Sequence, residues 1–278
     1  MHPGSPPLLD AHVHLHDAAF DADRQEVLSR AAAGGVSFLL DNGVAEPDWP
    51  ALLSLARRER CVLPAFGLHP WYVRERTPAW RERLEQHLDA VPSVVGEIGL
   101  DRGLEVVDSA AQEEVFRAQL EVARRRGLPV SIHCVRAWDW LAGVLASEPP
   151  LPAGLLLHAC AAPVELLPWL LDRGGYCSFA GNALRQNHHR AHATVRAVPR
   201  DRLLLETDAP DLPPPRAFLQ AGGAGGKVRN EPGNLPAIAH GIAALRGEPV
   251  EVLVAAAWEN ARRLLGPIYP VLRAEPNA

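Results

Sequence analysis

Short runs rich in Val, Ile and Leu alternate along this chain with longer amphipathic or Ala/Arg-rich stretches, and the alternation can be followed through eight rounds. The apolar runs predict strands at 8–14, 36–42, 61–68, 93–98, 129–134, 154–158, 175–180 and 202–208. The stretches between them predict helices at 22–33, 50–59, 78–90, 110–126, 136–147, 163–173 and 185–197, followed by two more at 235–246 and 249–265. Gly34-Gly35, Gly127, Gly154 and Gly174-Gly175 each stand just before a predicted strand, where a helix end favours a left-handed residue. Strand followed by helix, repeated, is the pattern of a parallel sheet. Eight such units in 278 residues favour closure into a (β/α)8 TIM barrel forming a single domain, with tails at 1–7 and 267–278. An open, doubly wound sheet is the alternative, since periodicity does not separate the two. The Pro- and Gly-rich stretch 209–234, directly after the last strand, predicts a long functional loop.

Chemistry enters with the segment LLDAHVHLHD at 8–17. Alternate side chains of a strand share a face, so Asp10, His12 and His14 point the same way, and two imidazoles there suit one metal ion. Taken alone, such a pair is equally explained as hydrogen-bonded core histidines. The positions of other ligand-type residues decide the matter: Glu97, His133, His158 and Asp208 fall at the ends of the fourth, fifth, sixth and eighth predicted strands. In a parallel barrel those ends share the face on which active sites are built, so the residues converge on one mouth. Ionisable groups at the ends of apolar runs are costly unless paired or metal-bound. Four imidazoles and two carboxylates exceed the needs of one tetrahedral ion, so two divalent ions bridged by Glu97 is the economical expectation. Mixed His and carboxylate donors suit Zn2+, Mn2+ or Fe2+, and Mg2+ where phosphate completes its shell.

Composition narrows the remaining classes. Cys61, Cys134, Cys160 and Cys177 form no CxxC pair and lie in or beside apolar runs, so buried reduced thiols are expected rather than disulfides or a zinc knuckle. A formal net charge of -5 argues against broad binding to duplex DNA, yet leaves room for a phosphate substrate, because bound cations reverse the sign inside a pocket. The start of the chain lacks the basic and apolar features of a secretory signal, and no stretch approaches the roughly 18 apolar residues of a membrane span. A cytoplasmic protein without a membrane partner is the expectation.

Together DAHVHLHD, GLHPW, VGEIGLD, the helix QEEVFRAQLEVARRRGLPVSIH, LETDAP and NEPGNLP, in this order over about 8–265, resemble the TatD-type metal-dependent deoxyribonucleases of the amidohydrolase-like barrels. The resemblance implies that His12, His14, Glu97 and Asp208 hold one metal and Glu97, His133 and His158 the other. It also implies a further active-site histidine at His69, and supporting roles for Asp101 and Glu206 behind the ligands, where Asp10 is expected as well. Asp208, Glu97 and His69 are the expected catalytic groups, with Asp208 taking a proton from the attacking water. Lys227 and Arg229 are candidate contacts for flanking phosphates, and Trp71 or Tyr72 for the face of an unpaired base. The implied activity is hydrolysis of DNA phosphodiester bonds, at single strands or frayed ends, by an exonuclease. A metal-dependent ester or amide hydrolase, such as an aminoacyl-tRNA deacylase, is the alternative, and a non-catalytic metal-binding component of a larger complex is a third reading. The chain departs from the family pattern at His16, where an aspartate is usual, and at Val135, where an arginine is usual and Arg136 comes one place later. Cys160-Ala161-Ala162-Pro163 likewise replaces an aromatic-Ser-Gly turn.

Overall fold

The computed structural model describes residues 6–219 and 229–273. Its strands are β1 (Leu8–Val13), β2 (Val36–Asn42), β3 (Val62–Phe66), β4 (Val94–Asp101), β5 (Val130–Val135), β6 (Leu155–Leu157), β7 (Gly175–Phe179) and β8 (Leu203–Leu205). Between and after them come α1 (Arg24–Ala33), α2 (Trp49–Arg58), α3 (Trp80–Ala90), α4 (Ser109–Arg126), α5 (Trp138–Ser147), α6 (Leu167–Asp172), α7 (His189–Ala197), α8 (Leu235–Arg246) and α9 (Val250–Leu265). The eight strands form one sheet in chain order, each parallel to the next.

The seam between β8 and β1 closes without a regular ladder. Asp208 N–H donates to His12 O at 2.9 Å, His14 N–H to Ala209 O at 2.8 Å, and Thr207 N–H to the Asp10 carboxylate at 2.9 Å. A side chain thus stands in for a rung, and the ring excludes the open doubly wound sheet. This is a (β/α)8 barrel, and no described helix is long and apolar enough to cross a membrane.

Several predicted boundaries shift for local reasons. β6 and β8 are only three residues each. Glu206, Thr207 and Asp208 leave the strand, Asp208 adopting the left-handed region at φ 57°, which aspartate tolerates better than branched residues. β4 runs on to Asp101 because Gly99, at φ 148°, lets it press against β5: a Cβ there would lie 2.0 Å from His133 O. The helix predicted at 163–173 divides into a 3-10 turn at Val164–Leu166 and α6, whose second residue, Pro168, suits a helix start and not its interior. The helix predicted from 185 begins at His189, after a separate 3-10 turn at Gly181–Leu184.

Two apolar layers surround the sheet's two faces. Val13, Phe66, Ile132 and Phe179 pack outward against Trp49, Phe116, Leu141 and Ile242 of the helices. Leu40, Leu63, Leu156, Tyr176 and Leu204 fill the inside with Trp258, Leu264, Tyr269 and Leu272. The segment after α9 is therefore no free tail from 267 onward: Tyr269 and Leu272 are buried, and the Tyr269 hydroxyl donates to Pro64 O. A large apolar ring with one polar tip suits that place beneath the strands. Leu156, Tyr176 and Leu204 lie two residues before His158, Ser178 and Glu206, so the same inward face changes from apolar to polar one step along each strand.

Candidate metal centre

The polar layer is built around Glu97. Its carboxylate lies 3.3 Å from His12 Nε2, 3.7 Å from His14 Nε2, 3.0 Å from His133 Nδ1, 3.6 Å from His158 Nε2 and 3.5 Å from His69 Nε2. Asp208 Oδ1 completes the group, 3.7 Å from His12 Nε2 and 3.4 Å from His14 Nε2. All of these side chains are buried except His14, which is partly so. The close approach depends on small residues: a Cβ on Gly67, after β3, would lie 2.6 Å from the Gly96 carbonyl carbon.

What each imidazole does with its other nitrogen defines the chemistry. His14 Nδ1 lies 2.7 Å from Asn42 O, His158 Nδ1 3.1 Å from Glu206 Oε1, and His133 Nε2 3.0 Å from Asp101 Oδ2. Those oxygens only accept, so the outer nitrogen of each ring carries a proton, and the inner nitrogen is the one that can give up its proton and present a lone pair to the centre. His12 Nδ1 meets Ser131 Oγ at 3.3 Å, and its Nε2 is a buried polar atom without a hydrogen-bond partner. A buried carboxylate ringed by imidazoles that can each release a proton and present a lone pair suits divalent cations, which would take the place of the ring protons. His12, His14 and Glu97 form one group of donors with spacing suited to a cation. His69 differs: its Nδ1 accepts the Trp71 N–H at 3.2 Å, which leaves its proton on Nε2, facing Glu97. In that tautomer His69 donates a hydrogen bond into the pocket and is not a ligand, although its position beside Glu97 and His133 has ligand spacing.

The electrostatics agree. Burial resists ionisation of Glu97, yet the electrostatic influence of His69 and His12, whose rings charge only when pH falls, and hydrogen bonds from His12 and His133 hold its carboxyl well below the ordinary range. Burial also opposes the charge on His14 and His158, but Asp208 acting on the first and Glu206 and Asp208 acting on the second raise both to about 10. Without a cation, the carboxylates keep protons on these rings; a bound cation would displace them. His69 falls to about 4 through burial and is neutral at physiological pH. Burial works against Asp101 too, and hydrogen bonds from His133 and Trp71 bring it to about 2.

The surrounding residues sort themselves by contact. Glu206 accepts from Ser178 and from Ala159 N–H, which orients it for His158. Asp10 is placed differently from the simple expectation of a shared face with His12: it binds Thr207 across the seam and supports Asp208 through the backbone. Burial lifts its carboxyl to about 8. His16 lies outside the ligand group, with Nδ1 2.7 Å from Asp41 Oδ1. Trp71 is 54% exposed beside the centre, its indole N–H held by Asp101 Oδ2 at 2.7 Å, while Tyr72 is half-buried and packs against the core. Arg229 is committed elsewhere: it donates to Ala19 O, Asp23 and Glu231, and its guanidinium lies 4.7 Å over the Phe20 ring. It braces the last loop against the segment before α1, so a role as phosphate contact does not suit it. Lys227 lies outside the described residues. Asn230 fastens the loop end, donating to Thr207 O and Asp211 O at 2.8 Å each.

Sequence reasoning missed two buried glutamines on α4. Gln119 accepts from Leu68 N–H at 2.7 Å and donates to Leu68 O at 3.0 Å, setting the turn that carries His69. Gln112 clasps the backbone of Asp101 in the same way, at 2.8 and 3.0 Å. Their spacing of seven places both on one helix face, and an amide on the inward face of an amphipathic helix was the available signal. Ser131, two residues before His133, was legible by strand alternation in the same manner.

Comparison with known proteins identifies the family and agrees with the fold. The family profile described as "TatD related DNase" matches residues 9–266. The chain is 31% identical over 260 residues to the "Uncharacterized metal-dependent hydrolase YabD" of Bacillus subtilis, covering 92% of this chain and 98% of that protein. It is 34% identical over 270 residues to the "3'-5' ssDNA/RNA exonuclease TatD" of Pantoea ananatis, covering 93% and 99% of the two. The solved structure of YJJV, a TatD homologue from Escherichia coli, superposes with a TM-score of 0.85 at 27% identity, covering 93% of this chain and 98% of that one. With its barrel, its histidine and carboxylate centre and these relatives, the chain belongs to the TatD-related DNase family of metal-dependent hydrolases.

Proposed function

We propose that the protein hydrolyses phosphodiester bonds of single-stranded or frayed DNA from an end, using two divalent ions. The observation that carries this reading is the convergence of inward imidazole nitrogens and two carboxylates on Glu97. His12, His14, Glu97 and Asp208 would hold one ion, and Glu97, His133 and His158 the other. Bound there, such ions supply Lewis-acid stabilisation of phosphoryl oxygens and acidify water.

The chain's own groups do the rest. Burial opposes ionisation of Asp208, but the charge of His158 and a hydrogen bond from His14 lower its pKa, so at neutral pH it is an ionised base able to accept a proton from the attacking water. Neutral His69 directs its N–H at the pocket, where it can hold a phosphoryl oxygen without adding a full charge. Asp101 fixes both the His133 ring and the Trp71 indole, linking the metal layer to an exposed aromatic face. A base stacked on that face gains about 1–3 kcal/mol, which favours unpaired strands over duplex. The mouth also admits a strand end more readily than a continuous duplex.

The test combines metal content per chain with digestion of an end-labelled single-stranded oligonucleotide, before and after chelation and with Mn2+, Mg2+ or Zn2+ restored. Two ions per chain and stepwise shortening from one end are expected. Intact oligonucleotide alongside a metal-loaded protein, or cleavage of an aminoacyl ester in its place, overturns the reading.

A further inference from the structure

The mouth of the barrel is electrically divided. The loops after β1 to β4 expose Asp17, Asp21, Glu75 and Glu105. Cations on that side are already paired: Arg76 with Glu114 at 3.2 Å, Arg102 with Asp139 at 2.7 Å, and Arg74 more loosely with Asp108 at 3.9 Å. The loops after β5, β7 and β8 differ. Arg136, Arg185, Arg190 and Arg216 are exposed there, and none has an ion-pair partner among the described residues. Exposed carboxylates on this side are Asp139, which Arg102 holds, Glu165 and Asp211.

The last two of these loops touch. A Cβ on Gly181 would lie 2.6 Å from Pro214 N, so the turn ending just before Arg185 packs on the segment leading into Arg216. Arg190 is the second residue of α7, whose first turn rises from the same rim. His188 reports the local field: burial first, and then the charge of Arg185, push its imidazole below the ordinary range. In a protein of net charge -5, exposed guanidinium groups without ion-pair partners among the described residues, gathered on adjoining loops of the rim that carries the centre, call for an anionic ligand. Planar, always-charged guanidinium suits a chain of phosphates, and spacing over two adjoining loops suits an extended ligand rather than a compact one.

We infer that the β7–β8 side of the rim is the track for the phosphodiester backbone of a single DNA strand, with Arg185, Arg190 and Arg216 as its phosphate contacts. The inference rests on the nuclease reading above and adds the strand's course. Bases then face the opposite side, where Trp71 offers its ring.

The experiment compares kcat/KM on a single strand of about 20 nucleotides, longer than the roughly 4–16 typical of one such binding surface, with kcat/KM on bis(p-nitrophenyl) phosphate, which reaches only the centre. The variant is R185E/R190E/R216E, and the control R57E/R58E/R60E places the same change in charge at and just beyond the C-terminal end of α2, on the far side of the barrel. The rim variant is expected to lose on the order of 10- to 100-fold on the strand and nothing on the small diester. Its salt dependence on the strand should be shallower by about 2 in log–log slope, at about 0.7 per lost phosphate contact. Retained small-diester activity also reports an intact fold. Equal strand cleavage by rim variant and wild type, equal loss in the control, or loss on both substrates together overturns the track. A wild-type protein inert toward both substrates instead sinks the nuclease reading.

Discussion

The two ends of the barrel interior are made from the same strands and obey opposite rules. Toward the strand starts, Leu156, Tyr176 and Leu204 meet Trp258 and Tyr269 in an apolar plug. One inward step further along, His158, Ser178 and Glu206 belong to a polar layer knit together by hydrogen bonds to Glu206. The plug gains stability from area removed from water, whereas the polar layer gives up desolvation energy to hold lone pairs and charge in a fixed arrangement. Stability and chemistry are therefore separable by position along one strand, and substitutions should fall into two classes.

The largest effect belongs to Glu97. Glu97→Gln removes the charge facing the inward imidazole nitrogens, and kcat/KM on an oligonucleotide should fall by about 1000-fold or more, with metal content falling beside it. With chelator present for both variant and wild type, thermal unfolding should shift less than for a substitution in the plug, which is untouched. A variant that keeps its metal and its rate would erase the distinction between the layers.

The mirror experiment is Trp258→Ala. Trp258 is buried and stacked on Phe38 at 6.0 Å between ring centres, so its loss should cost about 3–5 kcal/mol. That is a drop in Tm of about 10 °C for a domain of this size. The rate per folded molecule should stay at the wild-type value below the transition. A loss of rate well below the new Tm would show that the floor communicates with the centre.

Gln119→Met probes the boundary. It leaves the N–H and C=O of Leu68 without their partners, at about 1–3 kcal/mol each, and frees the turn carrying His69. A loss of about 10-fold in kcat is expected, because small displacements of an active-site group are costly. Gln119→Glu, which keeps the acceptor, should recover part of it.

The smallest effect lies at the brace joining the rim to α1. Hydrogen bonds from Arg229, and then from Arg30, lower Asp23 to about 2 from an ordinary 3.8. A depressed carboxyl contributes stability that is present above its unfolded pKa and lost as pH falls through the folded one, here between about 4 and 2. Asp23→Asn should flatten that part of the stability curve measured by denaturant at each pH, with little change in activity at neutral pH. Solvent exposure of the pair keeps the effect small.

The strand and helix series was legible because burial on a parallel sheet forces apolar runs, and glycines marked their starts. The candidate ligands were legible because a charged or imidazole group at the end of such a run is costly without a partner. Asp208 was found, but not its departure from β8, since a left-handed residue in LETDAP leaves no periodic trace. Arg229 read as a phosphate contact because a cation in a glycine-rich loop looks free; Asp23 and Glu231, far away or on the other side of a turn, hold it. Gln112 and Gln119 stayed hidden for the complementary reason, as their partners are backbone groups that carry no residue identity.

Local pattern thus determined the kinds of element, their order and the identity of the side chains gathered in the candidate site, because those follow from periodicity and the cost of burying polar groups. Only tertiary structure decided which nitrogen of each histidine faces inward, which arginines are already paired and how the seam between the last and first strands closes. Each of these depends on a partner brought near by the ring, at a distance along the chain that no local pattern encodes.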